Sequence, residues 1–247
     1  MATDVIAVEP LSQDTTSKAS VTTAMILAAG RGERMRPLTD TLCKPLVPVR
    51  GAPLIEHHIK KLVAIGVKRI VINASYLAEQ LMQTLGSGER FGGELIYSVE
   101  REPLESGGGV ATASAHFRGA AIILVSADIY SDFDYSRLLP HIRAIESGAA
   151  SAHFILVPPT SGEPGGEFAL DAAGWVHSGQ PRLTLANIAV LAAEPCRMWP
   201  RGERFKLLPH YQKWVDSGAV TGELFAGLWR NVTTAADVEI LNLSQKI

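Results

Sequence analysis

Arg31, Arg34 and Arg36 fall in one short stretch, Gly30-Arg31-Gly32-Glu33-Arg34-Met35-Arg36, and Lys44 follows in Lys44-Pro45-Leu46-Val47-Pro48. Glycines leave backbone N–H groups bare, and bare amides beside guanidinium and ammonium groups make a seat for a polyanion. This spacing suits a triphosphate cradle, with two prolines stiffening the segment that carries Lys44. An ordinary strand-to-helix loop with solvated arginines would use the same glycines; the Lys44 segment tips the reading toward phosphate. Neither the dinucleotide pattern G-x-G-x-x-G nor the P-loop pattern G-x-x-x-x-G-K-[ST] is what these residues spell.

Further candidates lie at the ends of apolar runs. Asp128 follows Ala120-Ala121-Ile122-Ile123-Leu124-Val125-Ser126, and a carboxylate at the carboxyl end of a central strand suits a metal, or else caps the next turn. Asp132 and Asp134 read as capping or solvent-facing. Asn73 ends another run, where it either faces a ligand or shapes a turn. Glu105 precedes Ser106 and then Gly107, Gly108 and Gly109. Three missing Cβ atoms let a backbone approach a flat ligand, although a plain helix-entry loop would look the same. Cys43 and Cys196 give neither a disulfide framework nor zinc spacing, so they read as packed thiols in a reducing, cytoplasmic setting. His57 and His58 are adjacent on an expected helix, where neighbours cannot face one ligand together.

The elements that hold these residues follow from periodicity. Continuous apolar runs at 24–29, 67–73, 95–99 and 120–126 predict buried strands, and helical spacing predicts helices over 53–65 and 76–85. A helix is expected over 110–117, after the glycines, and another over 133–146. Strands are expected at 152–157, 167–170 and 183–190, a helix over 205–215 and a closing helix over 235–244. Strand–helix alternation implies an α/β, Rossmann-like, mostly parallel mixed sheet flanked by helices. Residues 1–20 lack the basic start and apolar run of a signal peptide and read as a flexible extension. Residues 21–247 then form a single domain, with halves at about 21–135 and 136–247.

Composition narrows the function. The 247 residues are 47% hydrophobic and 19% charged with a formal net charge of -2, which is a globular balance and argues against general nucleic-acid binding. No stretch is long and apolar enough to span a membrane. Anionic ligands must therefore meet local cations or a metal.

Leu27-Ala28-Ala29-Gly30-Arg31-Gly32-Glu33-Arg34-Met35-Arg36-Pro37-Leu38-Thr39, followed by Lys44-Pro45-Leu46-Val47-Pro48, closely resembles the signature of the sugar-1-phosphate nucleotidyltransferases. The likeness extends over about 24–247 and implies the GT-A-like architecture of that family. It implies a nucleoside triphosphate and a sugar-1-phosphate as substrates and Mg²⁺ as cofactor. By that likeness Leu27, Ala28, Ala29, Gly30 and Gly32 cradle the nucleotide, Arg36 holds the departing phosphates and Lys44 lies near the α-phosphate. Asn73 stands close to the nucleoside, Gly107, Gly108 and Gly109 lie against the base, and Glu105 is near base or sugar. Gly166, Glu167, Asn187 and Lys206 match sugar-side positions.

Asp128 would carry the metal, with Asn231 as second ligand. The chain departs from the family pattern in several places. Ala127 precedes Asp128 where the family has Gly. Leu228-Trp229-Arg230-Asn231-Val232-Thr233-Thr234 puts Asn231 where a second metal-binding aspartate is usual and Thr233 where Gly is usual. The sugar-phosphate lysine is missing from Ser178-Gly179-Gln180-Pro181-Arg182, leaving Arg182 as a substitute. Within the family the chain resembles most the short N-acetylmuramate-1-phosphate uridylyltransferases of bacterial cell-wall recycling, which implies UTP. Mannose- or heptose-1-phosphate guanylyltransferases are the alternative, as is a nucleotide-sugar-binding regulatory paralogue with weak turnover. A monomer or homodimer is expected.

Overall fold

A computed structural model describes residues 22–159 and 166–243; the expected extension at 1–20 and most of the proline- and glycine-rich loop at 158–166 lie outside the described residues. The chain runs β1 (Thr23–Leu27), β2 (Pro48–Val49), β3 (Ala52–Pro53), α1 (Leu54–Ala64), β4 (Arg69–Ala74), α2 (Ala78–Leu85), β5 (Glu94–Val99) and α3 (Glu105–Ala113). It continues through β6 (Ala121–Ser126), β7 (Ile129–Ser131), α4 (Leu139–Glu146), β8 (Ala152–Val157), β9 (Ala169–Leu170), β10 (Val176–His177) and β11 (Thr184–Ala192). Then come α5 (Ala193–Met198), α6 (Leu208–Asp216), β12 (Val220–Leu224), β13 (Trp229–Asn231) and α7 (Ala235–Leu243).

Seven strands form one sheet in the order β12-β8-β11-β6-β1-β4-β5. β5, β4, β1 and β6 are mutually parallel, β11 is antiparallel to both β6 and β8, and β12 is parallel to β8. Every strand but β11 therefore points the same way. Both faces of such a sheet are covered by helices, so its strands must be apolar on both sides. Strand alternation divides them: Ala24 and Ile26 pack with Ile55, Ile59 and Leu62 of α1, Leu81 of α2 and Ile142 of α4. Met25 faces the other way, with Val110 of α3, Cys196 of α5 and Tyr211 of α6. Fully buried Ile and Leu side chains such as Ile59 and Leu62 contribute about 1.5–3 kcal/mol each. The mixed, mostly parallel sheet agrees with the sequence expectation. No helix among the described residues is long and apolar enough to cross a membrane.

Three expected helices need correction. The helix placed after the glycines begins at Glu105 and ends at Ala113, so Gly107, Gly108 and Gly109 lie inside it. Glycine disfavours a helix by about 1 kcal/mol relative to Ala, but tertiary packing overrides that preference here. The helix expected over 133–146 is shorter: Tyr135–Leu138 is a 3-10 turn and α4 begins at Leu139. The helix expected from 205 begins at Leu208. Pro140 and Pro209 each stand in a first helical turn, where a missing N–H costs nothing, and this fixes both starts. β7 and β13 were not anticipated; each has three residues and they pair with each other, too short and too far apart in sequence for a periodic signal.

Candidate functional site

The carboxyl ends of β1, β4 and β6 lie side by side, Leu27 opposite Asn73 on one flank and opposite Ser126 on the other. Loops leaving these ends surround a cavity of about 400 Å³ lined by Leu27, Ala28, Ala29, Gly30, Lys44, Pro45, Asn73, Pro103, Glu105, Ser106, Ser126, Ala127 and Asp128. Such crevices at strand ends are where open α/β sheets hold ligands.

Lys44 is the cation of this wall. It is buried, and its Nζ donates to Asp128 Oδ2 at 2.8 Å. The loop of 28–39 folds back over it: Gly32 sits at φ +73°, and a Cβ there would meet Lys44 Cβ and Cδ and Thr39 Cγ2, each at 3.1 Å. Thr39 Oγ1 holds the Gly32 carbonyl at 2.8 Å. Gly32 thus serves the close approach to Lys44, not the cavity surface. Arg36 is exposed and pairs with Asp40 at 2.6 Å outside the cavity lining. Arg31 lies over the Tyr76 ring, 4.9 Å from its centroid.

Asn73 and Glu105 both reach the cavity, and the glycines do not. A Cβ on Gly107 would run into Phe205 and one on Gly108 into the Glu203 carbonyl, while Gly109 backs onto Asn73 and Glu100. The N–H groups of Gly107 and Gly108 both donate to the Phe205 carbonyl, at 2.9 and 3.1 Å. The space expected for a base is filled on that side by protein, and the first turn of α3 is capped by the 203–205 segment. Glu105 itself holds φ +62°, a left-handed backbone that costs a non-glycine residue roughly 1–2 kcal/mol. Its Oε1 meets Arg204 Nη2 at 3.0 Å.

A second cavity, of about 290 Å³, adjoins the first. Leu27, Ser106 and Ser126 line both, and the second adds Leu124, Glu167, Thr184, Leu185, Asn187, Ala189, Leu207, Leu208, Tyr211, Trp229 and Asn231. Asn187 occupies an irregularity of β11. Leu185 pairs with Leu156 and Ala189 with Phe154, so three residues face one, and Asn187 adopts φ +57°. A bulge of this kind re-aims a side chain. Glu167 also lines this cavity. Gly166 does not, because it packs back against the Leu183 carbonyl, and Lys206 is exposed outside both linings.

β13 brings the end of the chain to Asp128. Asn231 pairs with Ile129, and the Val232 N–H donates to the Asp128 carbonyl at 2.7 Å. Asn231 is exposed. Behind it Asp237 accepts from the N–H groups of Thr233 and Thr234, at 3.0 and 2.9 Å, and pairs with Arg230 at 3.1 Å. These donors hold its carboxyl below the usual range against the opposing effect of burial. Thr234 and Asp237 form a capping box that starts α7 and anchors the Asn231 strand.

Among the described residues no group of three or more His, Cys, Asp or Glu is arranged to hold a metal. Asp128 and Asn231 offer one carboxylate and one amide oxygen on neighbouring backbone. Mg²⁺ fits such a sparse donor set, since it commonly takes one or two protein oxygens and completes its shell with phosphates and water.

The remaining candidates are structural. His58 is buried between Tyr135 Oη at 2.7 Å and the Ile129 carbonyl at 2.8 Å, and burial pushes its pKa down to about 4. His57 meets the Val49 carbonyl at 2.8 Å. Burial pushes the Cys43 and Cys196 thiols up to about 12, which leaves them inert packing groups. Asp134 caps the turn at Ser136, accepting its N–H at 2.9 Å. Sequence reasoning missed Ser106, Ser126, Tyr211 and Trp229 in the linings. Only Trp229 carried a usable signal, as a neighbour of Asn231 in the final motif.

The profile of the nucleotidyl transferase family matches residues 23–168. N-acetylmuramate alpha-1-phosphate uridylyltransferase of Neisseria meningitidis is 36% identical over 85% of this chain and 93% of its own length. The Caulobacter vibrioides protein of the same name is 31% identical over 85% and 90%. Among solved structures, HddC from Yersinia pseudotuberculosis complexed with GMP-PN superposes with a TM-score of 0.72 at 19% identity, covering 91% of this chain and 99% of that one. At that identity the likeness speaks for the fold.

Proposed function

The chain belongs to the nucleotidyl transferase family, and from that premise we propose that it transfers a uridylyl group from UTP to N-acetylmuramate 1-phosphate, releasing pyrophosphate, in cytoplasmic cell-wall recycling. One observation carries the reading: the Lys44–Asp128 pair, at 2.8 Å with its lysine buried and its carboxylate partly exposed, lies in the wall of a cavity of about 400 Å³ that shares Leu27, Ser106 and Ser126 with one of about 290 Å³. The larger takes the nucleotide and the smaller the sugar, one domain serving both from its two halves. The names of the two relatives support the choice of base and sugar.

In the reaction a phosphate oxygen of the sugar-1-phosphate forms a bond to the α-phosphorus of UTP as the bond to the bridging α–β oxygen breaks. The leaving pyrophosphate carries both electrons of that bond. The nucleophile is already an anion, so no side chain need remove a proton. What this chain supplies is alignment and charge. Lys44, fixed by Asp128 and roofed by Gly32, presents its ammonium to the α-phosphate. Arg36 would exchange Asp40 for the departing phosphates. Glu167 and Asn187 orient sugar hydroxyls, and Asn73 and Glu105 bound the nucleoside. Asp128 and Asn231 would hold Mg²⁺, which when bound supplies positive charge to the phosphate oxygens.

Pyrophosphate release across a grid of nucleoside triphosphates and sugar-1-phosphates tests the proposal. UTP with N-acetylmuramate 1-phosphate should give the highest kcat/KM. A preference for GTP with a hexose or heptose phosphate would reassign base and sugar within the same chemistry. Asn231, where the family has a charged ligand, favours a second reading, a nucleotide-sugar sensor with weak turnover; nucleotide binding without pyrophosphate release on any pair would select it.

A further inference from the structure

Glu100 is a buried carboxylate, 4% exposed, that none of the catalytic roles above uses. No cation pairs with it among the described residues. Burial pushes its carboxyl up, while the Leu104 N–H and the Asn73 side chain pull it back. Its Oε1 accepts from Asn73 Nδ2 at 2.7 Å and its Oε2 from the Leu104 N–H at 2.9 Å. Asn73, 2% exposed, spends its own oxygen on the Ala28 N–H at 2.8 Å. Ala28 lines the nucleotide cavity from the end of β1; Leu104 stands between Pro103 and Glu105, which line it from the segment that enters α3. Gly109 makes room for the junction: a Cβ there would lie 2.6 Å from Asn73 Nδ2 and 2.9 Å from Glu100 Oε1.

We propose that Glu100 is the positioning residue of the nucleotide cavity, clamping its two walls at a fixed separation through Asn73 and Leu104. The inference rests on the nucleotide reading of that cavity. The direction of the hydrogen bonds makes the role specific to a carboxylate. Two donors, Asn73 Nδ2 and Leu104 N–H, converge on one side chain, and Asn73 cannot turn its amide round because its oxygen is taken by Ala28. A group with two acceptors satisfies both donors. A neutral amide at position 100 satisfies one and confronts the other with a second donor, leaving a buried N–H unpaired. Glu105 feels the same anchor, since its left-handed backbone follows directly from the held Leu104.

Amide hydrogen exchange and UTP calorimetry test the clamp without turnover, so pyrophosphate release by the wild type judges the proposed function separately. Glu100→Gln should speed exchange at both Ala28 and Leu104, weaken UTP about 10-fold or more, and leave the calorimetric Kd for the sugar phosphate within twofold. The double variant Asn73→Asp with Glu100→Gln reverses the polarity of the junction. The new carboxylate at 73 accepts from Ala28 and from the new amide at 100, whose oxygen takes the Leu104 N–H. Both amides should regain protection and most of the UTP affinity should return. Should Glu100→Gln not fold, Gly109→Ala drives a methyl into the same junction at an ordinary helical backbone and should weaken UTP alone. Unchanged exchange and UTP affinity in the single variants would overturn the clamp. So would an equal loss for both substrates that the double variant fails to rescue.

Discussion

The indole N–H of Trp229 donates to the Ala186 carbonyl at 2.9 Å. The last motif of the chain thereby holds the bulge that carries Asn187 into the lining of the second cavity, although the two segments are more than forty residues apart. Trp229→Phe keeps an aromatic ring and removes that donor, leaving a carbonyl without its partner. A hydrogen bond of this kind is worth about 1 kcal/mol net. The KM for the sugar phosphate should rise roughly 5- to 10-fold on that basis, with the KM for the nucleotide unmoved, in steady-state assays varying each substrate in turn. A parallel rise in both would detach Trp229 from Asn187.

Lys44→Ala removes the cavity's buried ammonium and strands Asp128. Turnover should fall about 10²-fold or more, the scale set by losing one preorganised charge at a transition state. Arg36→Ala should lower it comparably if the arm leaves Asp40 when triphosphate binds. Pyrophosphate release gives the rates, and circular dichroism checks that both variants are folded. Near-normal rates in both would remove the phosphate role from this loop.

The donor set at Asp128 and Asn231 predicts an unusual metal requirement. Asn231→Asp restores a unit of charge and should lower the Mg²⁺ concentration for half-maximal rate. Asp128→Asn should abolish metal-dependent turnover. A magnesium titration of the three proteins distinguishes these outcomes, and an unaltered curve for Asn231→Asp would place Asn231 away from the metal.

Acid should destabilise the fold through its buried histidines. His58 is held to about 4 and His153 to about 3, both chiefly by burial, and His153 stacks on His141 at 3.3 Å between ring centroids. Both values lie below that of an unfolded histidine, near 6.5, so the native state binds fewer protons across that window. The stability these neutral rings contribute is full above the unfolded value and is lost as pH falls from it toward 4 and then 3. The slope is about 1.4 kcal/mol per pH unit for each ring. Urea unfolding from pH 7 to 4.5 should show it, and His153→Leu should flatten the curve by up to one proton's worth. An unchanged slope would mean that His153 does not titrate on unfolding.

The strands were legible because a sheet covered on both sides needs unbroken apolar runs, and Ala121 to Ser126 reads as nothing else. Asp128 and Asn73 were legible because each ends or follows such a run, and Lys44 because two prolines stiffen a cationic segment just after the glycine and arginine loop. The glycines of α3 were misplaced for a physical reason: their propensity argues against a helix, and only the distant Phe205 and Glu203 show what their missing side chains make room for. Glu100 was invisible for the opposite reason. A lone glutamate beside Arg101 and Glu102 reads as solvated surface, and nothing local says that Asn73 and Leu104 close over it.

Leu27, Ser106 and Ser126 belong to both cavities, so the two seats meet along one strip of protein. A single molecule carrying a uridine at one end and a sugar-like group at the other could reach across that strip into both. Once its nucleoside end is seated, the second end is present at an effective concentration in the millimolar range for a short linker. Two weak halves would then act as one strong inhibitor, and the length of linker that binds best would measure the separation of the two seats.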